Sequence, residues 1–222
     1  MAARKSPERP DFTKPSRHIV PNPARIYDLP KETRFLDPTR LATLEKSFRE
    51  WAESSKRADV RSSRKRILLI FLLIRYTGAR LNEVLSVDLR KHLDMSKGSI
   101  IYDKAAEGQN YSKREVQISS ELVSEIQSIL KEPVFNDRKD LLLRVDAGHV
   151  RRKFYERCLA CGFSQDLGTP NAIRKARAVE LMQDNMPLPV VQRILGHSTP
   201  NLTVSLVEFS DDDIDQVARH FV

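Results

Sequence analysis

The chain has 222 residues, of which 40% are hydrophobic and 31% are charged, and its formal net charge at pH 7 is +8. This composition is typical of a soluble globular protein with one full-sized core. The longest strongly apolar run, residues 67–74, is far shorter than the roughly 20 residues that a membrane-spanning helix needs, and the basic start MAARKSPERP lacks the apolar segment of a secretory signal. We therefore expect a cytoplasmic protein without a membrane partner.

The excess positive charge is concentrated at one end of the sequence. Residues 1–66 contain 17 Lys and Arg against 9 Asp and Glu, whereas residues 67–222 contain 21 of each kind. A basic segment attached to a neutral body suits a polyanionic partner, because each phosphate that it neutralises releases counterions. A solvated tail that only keeps the protein soluble would have the same composition.

Residues 1–36 hold half of the twelve prolines and show little apolar periodicity, so we expect an extended or disordered arm there. Order is predicted to begin at Asp37, an N-cap followed by Pro38 at the first helical position. The apolar residues of this helix fall on one face, as expected for core packing: they are Leu41, Leu44, Phe48 and Trp51.

A basic polar linker is predicted for residues 54–66, SSKRADVRSSRKR, before the run ILLIFLLI. That run is too evenly apolar to be amphipathic, so it predicts a helix buried on most sides. Residues 76–78 break this helix, and Arg80 opens a second, short one. Arg80 is thus expected to be held rigidly at a helix–turn–helix corner. A structural ion pair with Glu83 is the alternative to a functional role for this arginine.

From Gly98 the pattern changes to strands. GSIIYDK and REVQIS flank a turn-rich segment and predict a β-hairpin, in which Lys104 ends the first strand and Lys113 and Arg114 open the second. Ser119 or Ser120 is predicted to cap the amphipathic helix ELVSEIQSILK. Another helix is expected in VRRKFYERCLACGF.

The two cysteines, Cys158 and Cys161, lie in this last helix. A zinc site needs about four ligands, and His149 is the only nearby candidate to add to them. We therefore expect two buried reduced thiols, and no metal or cofactor.

The final third is predicted to be helical throughout. Pro170 precedes the helix NAIRKARAVELMQDN, in which Arg174 and Arg177 lie beside an apolar stripe. After a break at residues 186–187, LPVVQRILG forms a short helix that ends at Gly196, and His197 follows at once. The Asp run at 211–213 is predicted to cap a last short helix over residues 211–222.

Three of these segments resemble the tyrosine recombinases, the phage-integrase and Xer-type family. TGARLNEVL is similar to the first active-site box of the family, the hairpin with Lys104 to the one that carries its catalytic lysine, and TPNAIRKARAVELMQDNMPLPVVQRILGHS to its second box. The resemblance implies a mostly helical α+β catalytic domain over residues 37–222, with a small antiparallel β-sheet at one edge. Family members usually carry a helical core-binding domain before this one, and only the arm, residues 1–36, precedes it here. Either the arm binds phosphates more loosely, or the chain is a reduced or truncated form.

The resemblance assigns a role to each residue of these boxes. Arg80 and Arg174 would present forked donors to the oxygens of a DNA phosphate, Lys104 would act as general acid, and His197 would hydrogen-bond the phosphate. Asn171 occupies the position of a family histidine and cannot shuttle protons near neutral pH.

In the family the nucleophile is a tyrosine nine residues after the histidine of the LGH turn, here His197, and Leu206 stands at that position. All five tyrosines precede His197. We therefore predict a DNA-binding protein of recombinase descent that does not cut DNA, a pseudoenzyme acting as a regulator or as an accessory subunit on a mobile element. The alternative is an active integrase or recombinase, either with a tyrosine supplied in trans or as a nucleophile-mutant form. A third interpretation is an interaction module that has lost DNA binding.

Double-stranded DNA is the expected partner, in a cytoplasmic, nucleoid-associated setting. A partner recombinase, and a homo-oligomer formed through the helix 211–222, follow from the resemblance. The predicted DNA contacts outside the catalytic boxes are all basic: Arg64, Lys65, Arg66, Lys113, Arg114 and Arg177.

Overall fold

The structure is a computed structural model, and it describes residues 36–104, 112–132, 135 and 142–204. The predicted arm (apart from Leu36), Leu206 and the predicted helix 211–222 lie outside the described residues. For Lys104 only the backbone is described.

The described elements alternate between helices and one small sheet. Four helices come first, α1 Pro38–Glu53, α2 Ala58–Thr77, α3 Leu81–Leu85 and α4 Leu89–His92, followed by the strands β1 Leu93–Asp94, β2 Ser99–Lys104 and β3 Ser112–Gln117. The remaining helices are α5 Ser120–Leu130, α6 Ala147–Ala160, α7 Pro170–Gln183, α8 Leu188–Leu195 and α9 Pro200–Val204, with a 3₁₀ turn Gln165–Gly168 between α6 and α7. The sheet is antiparallel in the order β1-β2-β3. This architecture confirms the predicted α+β class. None of the helices in the described ranges is both long and apolar enough to cross a bilayer.

Helix α1 begins as the sequence predicts. The Asp37 carboxylate accepts a hydrogen bond of 2.8 Å from the backbone N–H of Arg40, and Pro38 occupies the first turn. The side chains of Leu41, Leu44 and Phe48 are fully buried. The capping pattern and the apolar period therefore act together in setting this helix.

The predicted linker 54–66 is wrong over most of its length, because α2 begins at Ala58. Its mostly polar residues 58–66 extend the buried helix by about two and a half turns, and contacts with other parts of the chain hold this extension. Ser62 is buried and donates to the Glu132 carboxylate at 2.9 Å, and Lys65 pairs with Glu132 and Glu53. These partners are distant in sequence or on another helix, so the local composition does not reveal them.

Helix α2 is the centre of the core. All eight residues from Ile67 to Ile74 are buried, which confirms the prediction for this run. Three aromatic rings, one each from α1, α2 and α6, pack together in this core: the Phe48 and Phe71 rings stack with centroids 4.2 Å apart, and Phe154 meets both edge-on. Burial of this kind is the dominant stabilising contribution in a domain of this size.

The hairpin packs one face against the helices. Ile100 pairs with Val116 and Tyr102 with Arg114, and the ladder continues to Lys104 opposite Ser112. Ile100, Tyr102 and Val116 are buried, because alternate residues of a strand point to the same face. The inner face of β2 and β3 packs against α3 and α8. The sheet therefore sits beside the corner that holds Arg80.

Candidate active site

The end of α2 contacts two other elements of the site, α7 and α8. Gly78 closes the helix in the left-handed conformation, with φ 64°, as the sequence predicts. A Cβ at this residue would lie 2.5 Å from Cδ2 of Leu195, so α8 approaches too closely for any side chain here. The Gly78 carbonyl accepts a hydrogen bond of 2.8 Å from Nε of Arg174. This turn thus joins α2, α7 and α8.

Arg80 is the N-cap residue of α3 and carries the first charge of the site. Its backbone N–H donates to Oε2 of Glu83 at 2.6 Å, and its Nη1 lies 3.3 Å from Oε1 of the same carboxylate. The ion pair considered from the sequence therefore exists. The Arg80 side chain nevertheless remains 38% exposed, so the pairing orients the guanidinium without burying it.

Glu83 is a site residue to which the sequence analysis gave no role beyond an ion pair with Arg80. Its carboxylate is buried and also accepts a hydrogen bond of 2.7 Å from Nη2 of Arg114. Burial by itself would raise the pKa of Glu83, but the charge and hydrogen bond of Arg114 and the backbone N–H of Arg80 hold this pKa below its ordinary value. Glu83 is therefore ionised at neutral pH. Its place at the third position of a short helix after Arg80 was the available signal.

Arg114 lies in the interior rather than on a DNA-facing surface. Its side chain is 8% exposed, it donates to the Ile194 carbonyl through Nη1, and its guanidinium lies 4.7 Å from the ring centroid of Tyr102. The DNA contact predicted for Arg114 stays a prediction, and this burial gives it no support. The signal was present in the strand period, because Arg114 and Val116 occupy the same face of β3.

Arg174 spans the site from α7. Its Nε donates to the Gly78 carbonyl and its Nη2 donates to the Leu195 carbonyl at 2.9 Å. Burial, together with the charges of Arg80 and Arg114, lowers the pKa of Arg174 to about 10, and Glu83 opposes this change. The guanidinium stays charged at neutral pH. Its two anchored nitrogens fix its plane.

His197 follows Gly196, which closes α8 with φ 67° as predicted. The His197 side chain is buried, and its Nδ1 lies 2.8 Å from Oγ1 of Thr203. Burial, with the charges of Arg174, Arg80 and Arg114, lowers the pKa of His197 to about 4. The imidazole is therefore neutral at pH 7, a state in which one ring nitrogen donates and the other accepts.

The remaining predicted members of the site lie around this group. Asn171 is exposed in the first turn of α7, one helical turn before Arg174. The backbone of Lys104 ends β2 opposite Ser112, as predicted. Its side chain and the whole of Leu206 lie outside the described residues, so their roles stay predictions.

The basic residues predicted from the linker lie far from this group. Arg64 donates to the Trp51 carbonyl, Arg66 donates to the Leu142 carbonyl, and Lys65 forms the ion pairs already described. Twelve residues of helix separate Arg66 from Gly78, which is about 18 Å at roughly 1.5 Å per residue. Contact between these three residues and DNA stays a prediction, and the intramolecular bonds give it no support.

Two further predicted contacts lie closer to the site. Lys113 is exposed on β3, with its Nζ 3.9 Å from a carboxylate oxygen of Asp103. Arg177 is partly buried on α7 and lies 3.4 Å from Glu180, which also binds Arg75 through both terminal nitrogens at 2.6 Å.

The thiols of Cys158 and Cys161 are free, the first buried and the second partly buried. No group of three or more potential metal-ligating side chains occurs in the part of the chain that the structure describes.

The charges of the site do not cancel. The guanidiniums of Arg80 and Arg114 contact the Glu83 carboxylate, that of Arg174 interacts with it electrostatically, and His197 is neutral. Positive charge held together in a partly buried site is unfavourable unless an anion compensates it. The arrangement is therefore suited to binding a small anionic group, and its forked donors match tetrahedral oxyanions such as phosphate.

Comparison with known proteins places the chain. Residues 45–208 match the phage integrase family. The tyrosine recombinase XerA of Thermococcus kodakarensis is 28% identical over 147 residues, which cover 64% of this chain and 50% of that protein. The chain thus spans about half the length of this curated relative.

Solved structures share the fold. The crystal structure of XerA recombinase superimposes with a TM-score of 0.64 at 20% identity, covering 84% of this chain and 64% of that one. XerH site-specific recombinase in a pre-cleavage complex with its difH substrate gives 0.65 at 22% identity, with coverages of 83% and 53%. The catalytic domain of bacteriophage HP1 integrase gives 0.52 at 21% identity, with coverages of 83% and 93%. The predicted catalytic-domain fold is confirmed by these similarities.

Proposed function

Because this chain belongs to the phage integrase family, we propose that it binds double-stranded DNA at a backbone phosphate and serves site-specific recombination or integration without cleaving the DNA itself. The observation that carries this proposal is the uncompensated charge of the site. Among the described residues, Arg80 and Arg114 bind the Glu83 carboxylate, and Arg174 interacts with it electrostatically. A DNA phosphate between the guanidiniums of Arg80 and Arg174 would offset that excess.

The two arginines have different tasks in this proposal. Arg174 uses Nε and Nη2 to bind carbonyls of the protein, and its Nη1 has no acceptor within the described ranges, which leaves it for the ligand. The Arg80 side chain is 38% exposed, and its ion pair with Glu83 orients it while leaving it accessible to a ligand. The pair would bind different non-bridging oxygens of the same phosphate, where preorganised donors are most effective.

His197 would supply a third donor. In the tautomer in which Nδ1 accepts the Thr203 hydroxyl, the proton lies on Nε2 and can be donated to a phosphate oxygen. Because the pKa of His197 is about 4, this donor is neutral across the physiological range and adds no charge to the two arginines. Asn171 can donate as well but cannot transfer protons.

The attacking group is the part for which the sequence has no candidate. The last tyrosine is Tyr155, and Leu206 stands where the family resemblance places the nucleophile. A leucine side chain has no atom that could form a bond to phosphorus. By the same resemblance Lys104 would remain as a general acid. We propose a regulator or an accessory subunit on a mobile element, with partner recombinases supplying the cleavage.

An active recombinase is the second candidate, and one observation favours it. Four of the residues proposed to activate the phosphate, Arg80, Glu83, Arg174 and His197, are in mutual contact or electrostatic interaction. A protein that receives its tyrosine in trans, or a nucleophile-mutant form of an active enzyme, would retain this assembly. Copies of this chain joined through the helix 211–222 would all carry leucine at position 206. A tyrosine at the nucleophile position would therefore have to come from a different protein.

The first experiment measures DNA binding. Duplexes enriched by the protein from a random pool would be titrated at salt concentrations from 50 to 200 mM, where a protein with several phosphate contacts loses roughly three decades or more of affinity. Arg80→Gln should lower the slope by about one phosphate contact. Arg49→Gln is the matched control, because it removes a guanidinium that pairs with Glu45 and Glu125 on α1 and α5. A duplex affinity that does not depend on salt concentration would refute the proposal and would favour the interpretation as an interaction module.

The second experiment tests cleavage. The selected duplex would be nicked next to each phosphate in turn, incubated with the protein and examined for a covalent protein–DNA band. We expect no band from the natural chain and a band from Leu206→Tyr, which should disappear again in Leu206→Tyr with Arg80→Gln. A band from the natural chain would refute the loss of cleavage and favour the active recombinase.

A further inference from the structure

We propose that Arg114 is a positioning residue of the phosphate site, through which the β2–β3 hairpin holds Arg80 and the turn at Gly196 and His197 in register. The inference rests on the proposed function, since it concerns the grip on the same phosphate. Arg114 does not contact the phosphate itself in this scheme. It acts through Glu83 and through the backbone of α8.

The guanidinium of Arg114 connects three elements. It extends from β3, donates to the Glu83 carboxylate of α3 at 2.7 Å through Nη2, and donates to the Ile194 carbonyl in the last turn of α8 through Nη1. The same Glu83 carboxylate binds both the backbone N–H and the side chain of Arg80. Arg80 is therefore oriented by a carboxylate whose own position is fixed from the hairpin.

The turn that presents His197 is shaped around this side chain. A Cβ at Gly196 would lie 2.8 Å from both Cδ and Nε of Arg114, so their close packing exists only because residue 196 has no side chain. Nη1 of Arg80 also lies 3.5 Å from the Gly196 carbonyl. The glycine is thus in contact with both arginines, and it immediately precedes His197.

Only an arginine can make these bonds at once. Its planar fork presents donors in two fixed directions, toward Glu83 and toward Ile194, while its flat face lies over the Tyr102 ring. A lysine at this position offers a single compact ammonium, which could satisfy one acceptor and would leave the other without its donor. Replacement by lysine therefore separates the geometry from the charge.

Through these bonds of Arg114, the position of the β2–β3 hairpin is coupled to the geometry of the site. Arg114 lies two residues from Ser112, which pairs with Lys104 at the end of β2. A displacement of the hairpin would thus move the Lys104 backbone and also withdraw the donor that holds Glu83. In this way the strand pair that carries the predicted general acid also sets the orientation of Arg80.

The test compares Arg114→Lys and Arg114→Gln with Arg49→Gln in the duplex titration described above. Both Arg114 variants should bind duplex DNA about tenfold more weakly, within the range expected for coupled neighbouring residues, and lose about one phosphate contact from the salt slope. Arg49→Gln removes the same charge and should keep the slope of the natural chain. In the Arg80→Gln background, Arg114→Gln should cause little further loss of duplex affinity, because both changes remove the same phosphate contact of Arg80.

Gly196→Ala provides a variant that retains every charge. Its Cβ would displace Arg114 and should reproduce the loss of slope, so the proposal can be judged even where Arg114→Gln fails to fold in a thermal melt. The positioning role would be overturned if Arg114→Lys left the duplex affinity and its salt slope unchanged. It would also be overturned if the losses caused by Arg114→Gln and Arg80→Gln were additive. Salt-insensitive binding by the natural chain is a different result, which would overturn the proposed function and with it the role of Arg114.

Discussion

Replacing Gly78 with alanine tests how the site is held together. Gly78 has φ 64°, a conformation in which an L side chain costs roughly 1–2 kcal/mol. The added Cβ would also lie 2.5 Å from Cδ2 of Leu195. Leu195 is fully buried between α7 and α8 and cannot turn away into solvent. Overpacking of this kind costs typically about 1–3 kcal/mol. We therefore expect Gly78→Ala to lower the free energy of unfolding by about 2–5 kcal/mol.

Gly162 provides the matched control. It has φ 75°, and a Cβ there would meet no atom within 4 Å. Gly162→Ala should therefore show only the backbone contribution, about 1–2 kcal/mol. The difference between the two variants isolates the contact between the end of α2 and α8.

Urea denaturation of both variants, followed by the fluorescence of the single tryptophan Trp51, gives the two free energies. Equal losses in the two variants would refute the steric argument. A second measurement connects the contact to the site. Because Arg174 binds the carbonyls of both Gly78 and Leu195, Gly78→Ala should weaken duplex binding, whereas Gly162→Ala should not change it.

Three further predictions concern single side chains. Burial and the neighbouring arginines lower the pKa of His197 from 6.5 to about 4 in the folded protein. As the pH drops from 6.5 to 4, the unfolded chain binds a proton at His197 before the folded chain does, so the free energy of unfolding should fall over this range. In urea titrations, His197→Gln should remove this part of the pH dependence. Glu180→Ala should cost about 3–5 kcal/mol in the same assay, since Arg75, with a side chain 12% exposed, would lose the carboxylate that both its terminal nitrogens bind. Burial raises the pKa of Cys158 to about 11, so mass spectrometry after alkylation at pH 8 should find Cys161 modified first and Cys158 largely protected.

The local features of this fold could be predicted because they depend on a few adjacent residues. The cap at Asp37 and the helix ends at Gly78 and Gly196 follow from backbone conformation and from orphaned N–H and C=O groups. The buried run of α2 and the hairpin follow from apolar periodicity. The order of Arg80, Arg174 and His197 within recognisable boxes was enough to indicate the family.

The linker predicted for residues 54–66 was wrong because its polar and charged side chains have partners that are distant in the sequence. Ser62 and Lys65 extend α2 because Glu132 is there to receive them, about seventy positions later. Arg66 is bound by the carbonyl of Leu142. A charge count of residues 54–66 contains none of this information, so it indicated a solvated basic linker where the chain forms a helix.

The sequence by itself determined the order and spacing of Arg80, Arg174 and His197 and the presence of leucine at position 206, since these are facts of residue identity. Only the tertiary structure decided how the set is charged and held. The side chain of Arg114, a predicted DNA contact, is buried because β3 packs that face against α3 and α8. Glu83 gains its second arginine in the same way, and His197 is kept neutral by burial among three guanidiniums. Burial and electrostatics depend on everything that surrounds a group, and that surrounding exists only after the chain has folded.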